Sequence, residues 1–472
     1  MEQKDGILLQ GYLFDYLVSS SVPFREFIRF GSTCKHYRKL MMRSNKWLHV
    51  DVSPLNEFFK DTNLFNLTRL LNQYHRQDVG TPFINRLTLN GCYQLTDRAL
   101  YYLSNCTLFV HLEHISLDNC VKITAIDDLF RPCPPMPEIS TTTTSTTTDN
   151  NNNIVDDLNQ LTITSTPTTP PTPQLILDRT PLKSICLPSL HTRTIPNILK
   201  YLSSITSLSL NGSVERIIFL RFLESTPKLT HLKLTSRTKD NIFSSTILDK
   251  LCAFRNLERL ELISMMHLTD EDVGRMSFSL VNLTGLVITN NLHLSGSVVN
   301  LILESCQNLF ELRIKYCRNV ERINVESKSL RIFDASYTKP CLDIKFPNLF
   351  EMAIGGWVMN DDEYLQLFSN ISPKLIHMDL SHTQITDKQV EIVLPLTRNL
   401  QRLDLNYTNI TLKSIETISK YCKQLFKLDI TNHDGNITKE KCVQLLQNIK
   451  SLEQLVVHEP KARNKSINIH LN

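Results

Sequence analysis

Apolar positions recur along most of this chain in the order L-x-x-L-x-L, at intervals of about 25 residues. Twelve units align by their three apolar residues: Ile84/Leu87/Leu89, Leu112/Ile115/Leu117, Leu182/Ile185/Leu187, Ile205/Leu208/Leu210, Leu229/Leu232/Leu234, Leu257/Leu260/Leu262, Leu283/Leu286/Ile288, Leu309/Leu312/Ile314, Leu349/Met352/Ile354, Leu375/Met378/Leu380, Leu400/Leu403/Leu405 and Leu425/Leu428/Ile430. Leu330/Phe333/Ala335 is a weaker unit, and Leu452/Leu455/Val457 closes the series. From Leu182 to Leu452 the first residues of successive units lie 23, 24, 28, 26, 26, 21, 19, 26, 25, 25 and 27 apart. Alternation over L-x-L predicts a strand with one buried face, because successive side chains point to opposite sides. One unit cannot bury its leucines alone, so neighbours must stack into a parallel sheet. The rest of each unit predicts a helix on the outer side. Its start is written in Leu95-Thr96-Asp97, Leu268-Thr269-Asp270, Ile385-Thr386-Asp387, Ile410-Thr411 and Ile437-Thr438. A Thr hydroxyl caps the free amides of a first turn, and an early Asp suits its positive end. The helices are expected to close at Cys306-Gln307-Asn308-Leu309 and Cys422-Lys423-Gln424-Leu425.

This pattern and period resemble the leucine-rich repeat. Cys92, Cys120 and Cys317 stand at the turn just after the strand, and Cys306 and Cys422 near helix ends. With the I-T-D element, they make the chain similar to the cysteine-containing subclass. The resemblance implies an α/β solenoid, a horseshoe with parallel strands inside and helices outside. With no C-x-x-C among the twelve cysteines, packing thiols rather than metal ligands are expected. Reduced thiols point to a cytosolic or nuclear protein.

Upstream, apolar residues at Leu13, Phe14 and Leu17, then Phe27, Ile28 and Phe30, then Cys34, Tyr37 and Leu40 recur at helical spacing, and Pro23 suits a first turn. Three short helices in so few residues make a module that completes its core on a partner or neighbour. The stretch Leu13–Val52 resembles an F-box. Leu13-Phe14-Asp15-Tyr16-Leu17 stands on the family's I-F-x-x-L, and Phe27 through Leu40 on its L-x-x-x-x-x-V-C-K-R-W-R-x-L core, with Trp47 in the closing segment. The family's opening Leu-Pro is Asp5-Gly6 here, its early Glu is Leu8 and its Trp is Tyr37. The resemblance implies a small all-α domain that docks on the Skp adaptor, and through it on a cullin, by Leu9, Leu13, Phe14, Leu17, Phe27, Ile28, Cys34, Tyr37 and Leu40. The other reading of the same helices is a cap on the first repeat, packed on Ile84 and Leu87.

Pro132–Gln174 is rich in Thr, Asn and Pro, a composition that cannot offset chain entropy by burial, and it reads as a disordered insertion. Its Thr166-Pro167, Thr169-Pro170 and Thr172-Pro173 steps could receive phosphate, but a neutral expansion is the favoured reading. The expected organisation is therefore 1–52 F-box-like, 53–83 connecting helical segment, 84–131 first repeats, 132–174 insertion, 175–460 repeats and 461–472 tail.

No nucleotide-binding, nucleophile-elbow, zincin or EF-hand motif occurs, so no cofactor, metal or catalytic group is expected. His111-Leu112-Glu113-His114 has the wrong order for a zincin and belongs to a repeat. A net charge of +4 is too small to argue for nucleic acid. No apolar run reaches membrane-spanning length, and Met1 is followed by the polar Glu2-Gln3-Lys4-Asp5 rather than a signal segment. Basic residues Lys461, Arg463 and Lys465 read as a solvated end.

The binding expectation falls on the strand face. Asp379, Asp404 and Asp429 lie inside L-x-L on consecutive strands, an acidic column of about 5 Å spacing. His377, Arg402 and Lys427, two residues earlier, share that face and could neutralise it in exposed pairs. Arg313 and Asp334 belong to the same inner row, with Lys315 just after it. Tyr316, Tyr337, His382 and Tyr407 follow the strands, with Trp357 nearby, and aligned aromatics mark an interface. Such a surface suits an unknown target protein rather than a metabolite. Two functions follow: substrate receptor of an SCF-type ubiquitin ligase, monomeric outside that complex, or an interaction scaffold without a ligase role.

Overall fold

The computed structural model describes residues 48–57, 59–76, 84–104, 106, 109, 111–123, 181–187, 199–212, 214–236, 242–338, 341–431, 437–458 and 466–470. The adaptor-docking candidates from Leu9 to Leu40, the Thr/Asn/Pro-rich insertion and residues 461–465 lie outside them. The chain forms two compact units, Met1–Leu229 and Thr230–Asn472. Both are α/β leucine-rich repeats.

In the first unit five parallel strands follow chain order: β1 (His49–Asp51), β2 (Arg86–Thr88), β3 (His114–Ser116), β4 (Ser184–Leu187) and β5 (Ser207–Asn211). Their central apolar residues Val50, Leu87, Ile115, Ile185 and Leu208 align and are buried. Helices α1 (Asp61–Arg76), α2 (Asp97–Ser104) and α3 (Arg216–Ser225) lie between or after the strands. Strands β3 and β4, which flank the insertion in sequence, are paired neighbours. Strand β1, which falls inside the segment 1–52 set apart in the sequence, pairs with the repeat sheet through His49–Asp51. The sequence there reads Trp47-Leu48-His49-Val50-Asp51-Val52, the repeat spacing with valines in place of leucines.

The second unit continues the pattern with β6 (His231–Thr235), β7 (Arg259–Ile263), β8 (Gly285–Thr289), β9 (Glu311–Arg313), β11 (Ile332–Asp334), β13 (Glu351–Ala353), β14 (His377–Asp379), β15 (Arg402–Leu405), β16 (Lys427–Thr431) and β17 (Gln454–His458), all parallel. Part of the expected tail, Ser466–His470, instead pairs antiparallel with β17 as β18. Its alternation of Ile467 and Ile469 with polar residues is a strand pattern.

Helices α4 (Ser245–Cys252), α5 (Asp270–Ser279), α6 (Gly296–Ser305), α7 (Asp361–Ser369), α8 (Asp387–Val393), α9 (Leu412–Tyr421) and α10 (Lys439–Leu446) fill the second half of most repeats. The two shortest repeats, of 21 and 19 residues, depart from this expectation. They carry strands β10 (Arg322–Glu326) and β12 (Cys341–Lys345), paired in parallel, where the others carry a helix. The reason is length. Five extended residues span roughly 17 Å, about what ten helical residues span, so a short repeat bridges the same distance only in extended form. Gly296 opens α6 against the backbone of Arg322 in β10, where an added Cβ would collide with the Arg322 carbonyl oxygen.

The N-terminal caps do two jobs. At Thr269 and Asn360 the side chain accepts from the third residue of the helix, and Asp272 or Glu363 accepts back from the cap amide. The Asp that opens a helix also reaches the next repeat. Asp61 accepts from the Thr96 amide at 2.9 Å and its hydroxyl at 2.6 Å, and Asp270 accepts from the Ser295 amide at 2.9 Å. Asp387 accepts from the amides of Thr411 and Ser414 at 2.9 and 3.1 Å, from the Thr411 hydroxyl at 2.6 Å and from the Ser414 hydroxyl. Burial raises the Asp387 carboxyl, but the bonds from Ser414 and Thr411 outweigh it and hold the group below its ordinary value. Cys92, Cys120, Cys306, Cys317 and Cys422 are buried, and burial pushes Cys92, Cys120 and Cys422 up to about 12 and Cys306 and Cys317 to about 11. These thiols pack and stay neutral. Among the described residues no helix is long and apolar enough to cross a membrane.

Removing the Asp387 carboxylate tests the inter-repeat role of the I-T-D element. Bonds to a charged acceptor contribute about 1.5–3 kcal/mol, so Asp387→Ala is expected to lower stability by about 2 kcal/mol near pH 7. A carboxyl lowered in the folded state stabilises above its unfolded value and loses that contribution as pH falls through the folded one. The gap between wild type and variant in urea denaturation should therefore narrow as the pH falls below the ordinary carboxylate range.

Candidate protein-interaction site

Each strand of the second unit turns its leucines to the core and two side chains to the opposite face. The pairing register lines these up as rows. One row holds Arg259, Gly285, Glu311, Ile332, Glu351, His377, Arg402 and Lys427; the next, two residues on, holds Glu261, Val287, Arg313, Asp334, Ala353, Asp379, Asp404 and Asp429.

From β6 to His377 at the start of β14 the charges of this face pair with one another. Glu261 pairs with Lys233 at 3.6 Å and Arg259 at 2.7 Å, and Arg259 also pairs with Glu311. Arg313 is held by Glu311 at 2.5 Å, Glu351 at 3.1 Å and Asp334 at 3.6 Å. His377 reaches Glu351 at 3.6 Å, and the His377 ring together with the Arg313 guanidinium holds the Glu351 carboxyl down to about 2. Arg313, a candidate contact from sequence, is therefore tied into this network by three carboxylates. Asp334 is engaged in the same way: it is 7% exposed and accepts from the Ser336 amide at 3.0 Å and its hydroxyl at 2.7 Å.

Farther along, the compensation stops. Of the expected pairing between the acidic column and the basic row, Lys427 to Asp429 at 3.0 Å is formed, while His377 turns to Glu351. Among the described residues Asp379 and Asp404 have no ion-pair partner; each accepts an amide two residues on, from Ser381 at 2.8 Å and Asn406 at 2.9 Å. Burial, reinforced by Asp379 and Asp429 and opposed by the Asn406 amide and Lys427, pushes the Asp404 carboxyl up to about 6.

The aromatic residues form a ladder across the strand ends. Tyr316 stacks on Tyr337 with centroids 4.5 Å apart, Tyr337 meets His382 at 5.8 Å, and His382 stacks on Tyr407 at 4.5 Å. Tyr316 is 39% exposed and Tyr407 47%. The Lys315 ammonium lies 5.7 Å from the Tyr316 ring centroid, a cation–π contact. All four ladder residues have left-handed backbones, with φ of 60°, 59°, 57° and 55°. The same turn position holds Gly91, Asn119 and Asn290 in other repeats, residue types that adopt this conformation readily. A bulky residue there costs about 1–2 kcal/mol, so the rings are placed against local preference.

Sequence reasoning missed what keeps the ladder continuous. Gly356 (φ 77°) occupies the turn between Tyr337 and His382, and a Cβ there would come within 2.6 Å of the Tyr337 ring. The signal was one glycine in a column of aromatics. Trp357, expected beside the ladder, is instead 2% exposed, and its indole nitrogen donates to the Ala335 carbonyl at 2.7 Å. It sits one residue past the turn, where the hydroxyls of Thr338, Thr383 and Thr408 donate to strand-end carbonyls at 2.6, 2.7 and 2.7 Å. The strand-start edge also carries exposed apolar residues that the motif search passed over: Phe310, Phe350 and Ile376, each directly before a strand. Of the candidates, Lys315, Tyr316, Tyr337, Asp379, His382, Asp404, Tyr407 and Asp429 share one face of the second unit. The face presents aromatic rings and carboxylates side by side.

No family model matches this chain, and no curated protein matches it. Among solved structures it is similar to an internalin from Listeria monocytogenes at 13% identity and a TM-score of 0.35, over 87% of this chain and 93% of that one. The Rad7 and Elc1 complex of yeast gives 14% identity and a TM-score of 0.44, over 88% and 89%. A complex of Latrophilin 3, Unc5D and FLRT2 gives 17% identity and a TM-score of 0.33, over 58% and 80%. The repeat assignment rests on the strand register described above.

The position of Asp404 has a measurable consequence. A carboxyl raised in the folded protein destabilises the fold once ionised; the penalty is absent below the unfolded value of about 4 and complete above about 6. Asp404→Asn keeps the acceptor for the Asn406 amide and removes the charge. It should stabilise the protein by roughly 2 kcal/mol near pH 7.5 and by little near pH 4, read from thermal melts at both values.

Proposed function

We propose that this chain is the substrate-recognition subunit of an SCF-type ubiquitin ligase. Residues 1–52, through their resemblance to an F-box, would dock on the Skp adaptor and so on the cullin, and the strand face of the second unit would hold the target. Such a protein carries no chemistry of its own; it raises the effective concentration of a target lysine near a loaded enzyme. This reading places the protein in the cytosol or nucleus, monomeric outside the complex.

The observation that carries the binding role is the exposed ladder of Tyr316, Tyr337, His382 and Tyr407 beside Asp379 and Asp404. Rings held in a costly backbone conformation and open to solvent fit a contact surface, where Tyr supplies much of the binding energy. The adaptor role is supported by the residues matched between Leu13 and Val52. Strand β1 occupies the edge of β2, with Val50 beside Leu87, so on the competing cap reading the helices would cover β1.

Capture from cell extract with the tagged full-length chain should recover the Skp adaptor and cullin. The same chain carrying Leu13→Ala, Phe14→Ala and Tyr37→Ala should lose both while its melting curve is kept. Failure of the wild-type chain to recover either would leave an interaction scaffold without a ligase role.

A further inference from the structure

The strand-end side of the second unit's face holds two features in register: a stack of aromatic rings, and two carboxylates, Asp379 and Asp404, that have no ion-pair partner among the described residues. We propose that this surface receives a basic, extended segment of a partner protein, its Arg or Lys side chains lying on the ladder of Tyr316, Tyr337, His382 and Tyr407 and pairing with Asp379 and Asp404. The inference rests on the reading of this face as the target-binding surface and names the chemistry of what it takes.

Charge and ring geometry select this occupant. The faces of aromatic rings attract cations within about 6 Å, and the ladder already holds one, the Lys315 ammonium at 5.7 Å from the Tyr316 centroid. Burial, with Tyr316, Asp379 and Asp404 adding to it, holds the Tyr337 phenol above its ordinary value, so rings and carboxylates share one electrostatic field. The remaining acidic groups of the face are engaged: Glu261, Glu311, Glu351 and Asp334 in the Arg259–Arg313 network, and Asp429 by Lys427. Arg402 is exposed on the strand-start side and repels a cation there, which directs an incoming basic group toward the rings. Alternate side chains of an extended segment recur every ~6.7 Å, wider than the ~5 Å step between neighbouring strands, so the long flexible stems of Arg and Lys take up the difference in reaching the rings and carboxylates. An acidic segment would face Asp379 and Asp404 uncompensated. The chain as a whole carries +4, so it offers a polycation no general attraction.

The test uses fluorescein-labelled octa-arginine, octa-lysine and octa-glutamate with the purified full chain at physiological salt, read by anisotropy. The cationic peptides should bind and octa-glutamate should not. Asp379→Asn with Asp404→Asn should weaken binding about tenfold or more, as should Tyr316→Asn with Tyr407→Asn, which installs the residue found at the same turn in Asn119 and Asn290. Arg402→Gln should tighten it. Absence of cationic binding, or affinity unchanged in either double variant with its melting curve intact, would overturn the proposal. Adaptor capture by the same preparations separates the two readings: peptide binding lost with the adaptor retained removes only this inference, and the reverse removes only the ligase role.

Discussion

A strand with leucines on one side and polar groups on the other is stable only when neighbours cover its core face and pair with its edges. Everything else in this molecule follows from that dependence. The leucines of each repeat are buried to near zero exposure against those of adjacent repeats, at roughly 1.5–3 kcal/mol for each fully buried side chain. Because the pairing fixes register, residues at one position of the repeat are forced into line about 5 Å apart. Like charges and like rings then accumulate in rows whether or not they favour one another. In the second unit this produces an interlocked ion-pair network over one stretch, and an uncompensated acidic pair beside an aromatic ladder over the next.

The two stretches differ in what they leave for a partner. Where Arg259, Glu311, Arg313 and Glu351 alternate in sign, neighbours neutralise one another and the face is closed electrostatically. Where Asp379, Asp404 and Asp429 follow in succession, burial and mutual repulsion raise Asp404 to about 6. The free protein carries that penalty, and a cation brought from outside would relieve it. The left-handed backbone of four aromatic residues adds a second local cost, and both costs fall on the same edge of the sheet.

Much of this was legible in the sequence. The L-x-x-L-x-L period gave the strands, the Thr-Asp starts gave the helices, and the cysteines declared their burial, because each depends on local pattern alone. Individual site residues were less legible. The ion pairs that hold Arg313 and Asp334 could not be read from the sequence, since row neighbours come from positions about 20 residues distant. Trp357, expected near the ladder, lies one residue past the turn that Gly356 fills, and its indole is buried. The strands that replace helices at β10 and β12 were announced only by repeat length, and β1 only by a valine version of the leucine motif.

Whether the ladder serves binding or merely holds the turns decides the account. The direct measurement is the thermal stability of the chain with Asn at positions 316, 337, 382 and 407 together, without ligand. Stacked pairs contribute about 0.5–1.5 kcal/mol each, and relief of the left-handed strain returns a comparable amount at each site. If the rings are there for a partner, stability should be unchanged or higher. A loss of more than about 3 kcal/mol would show that the stack holds the repeats in place, and the binding reading of this face would fail.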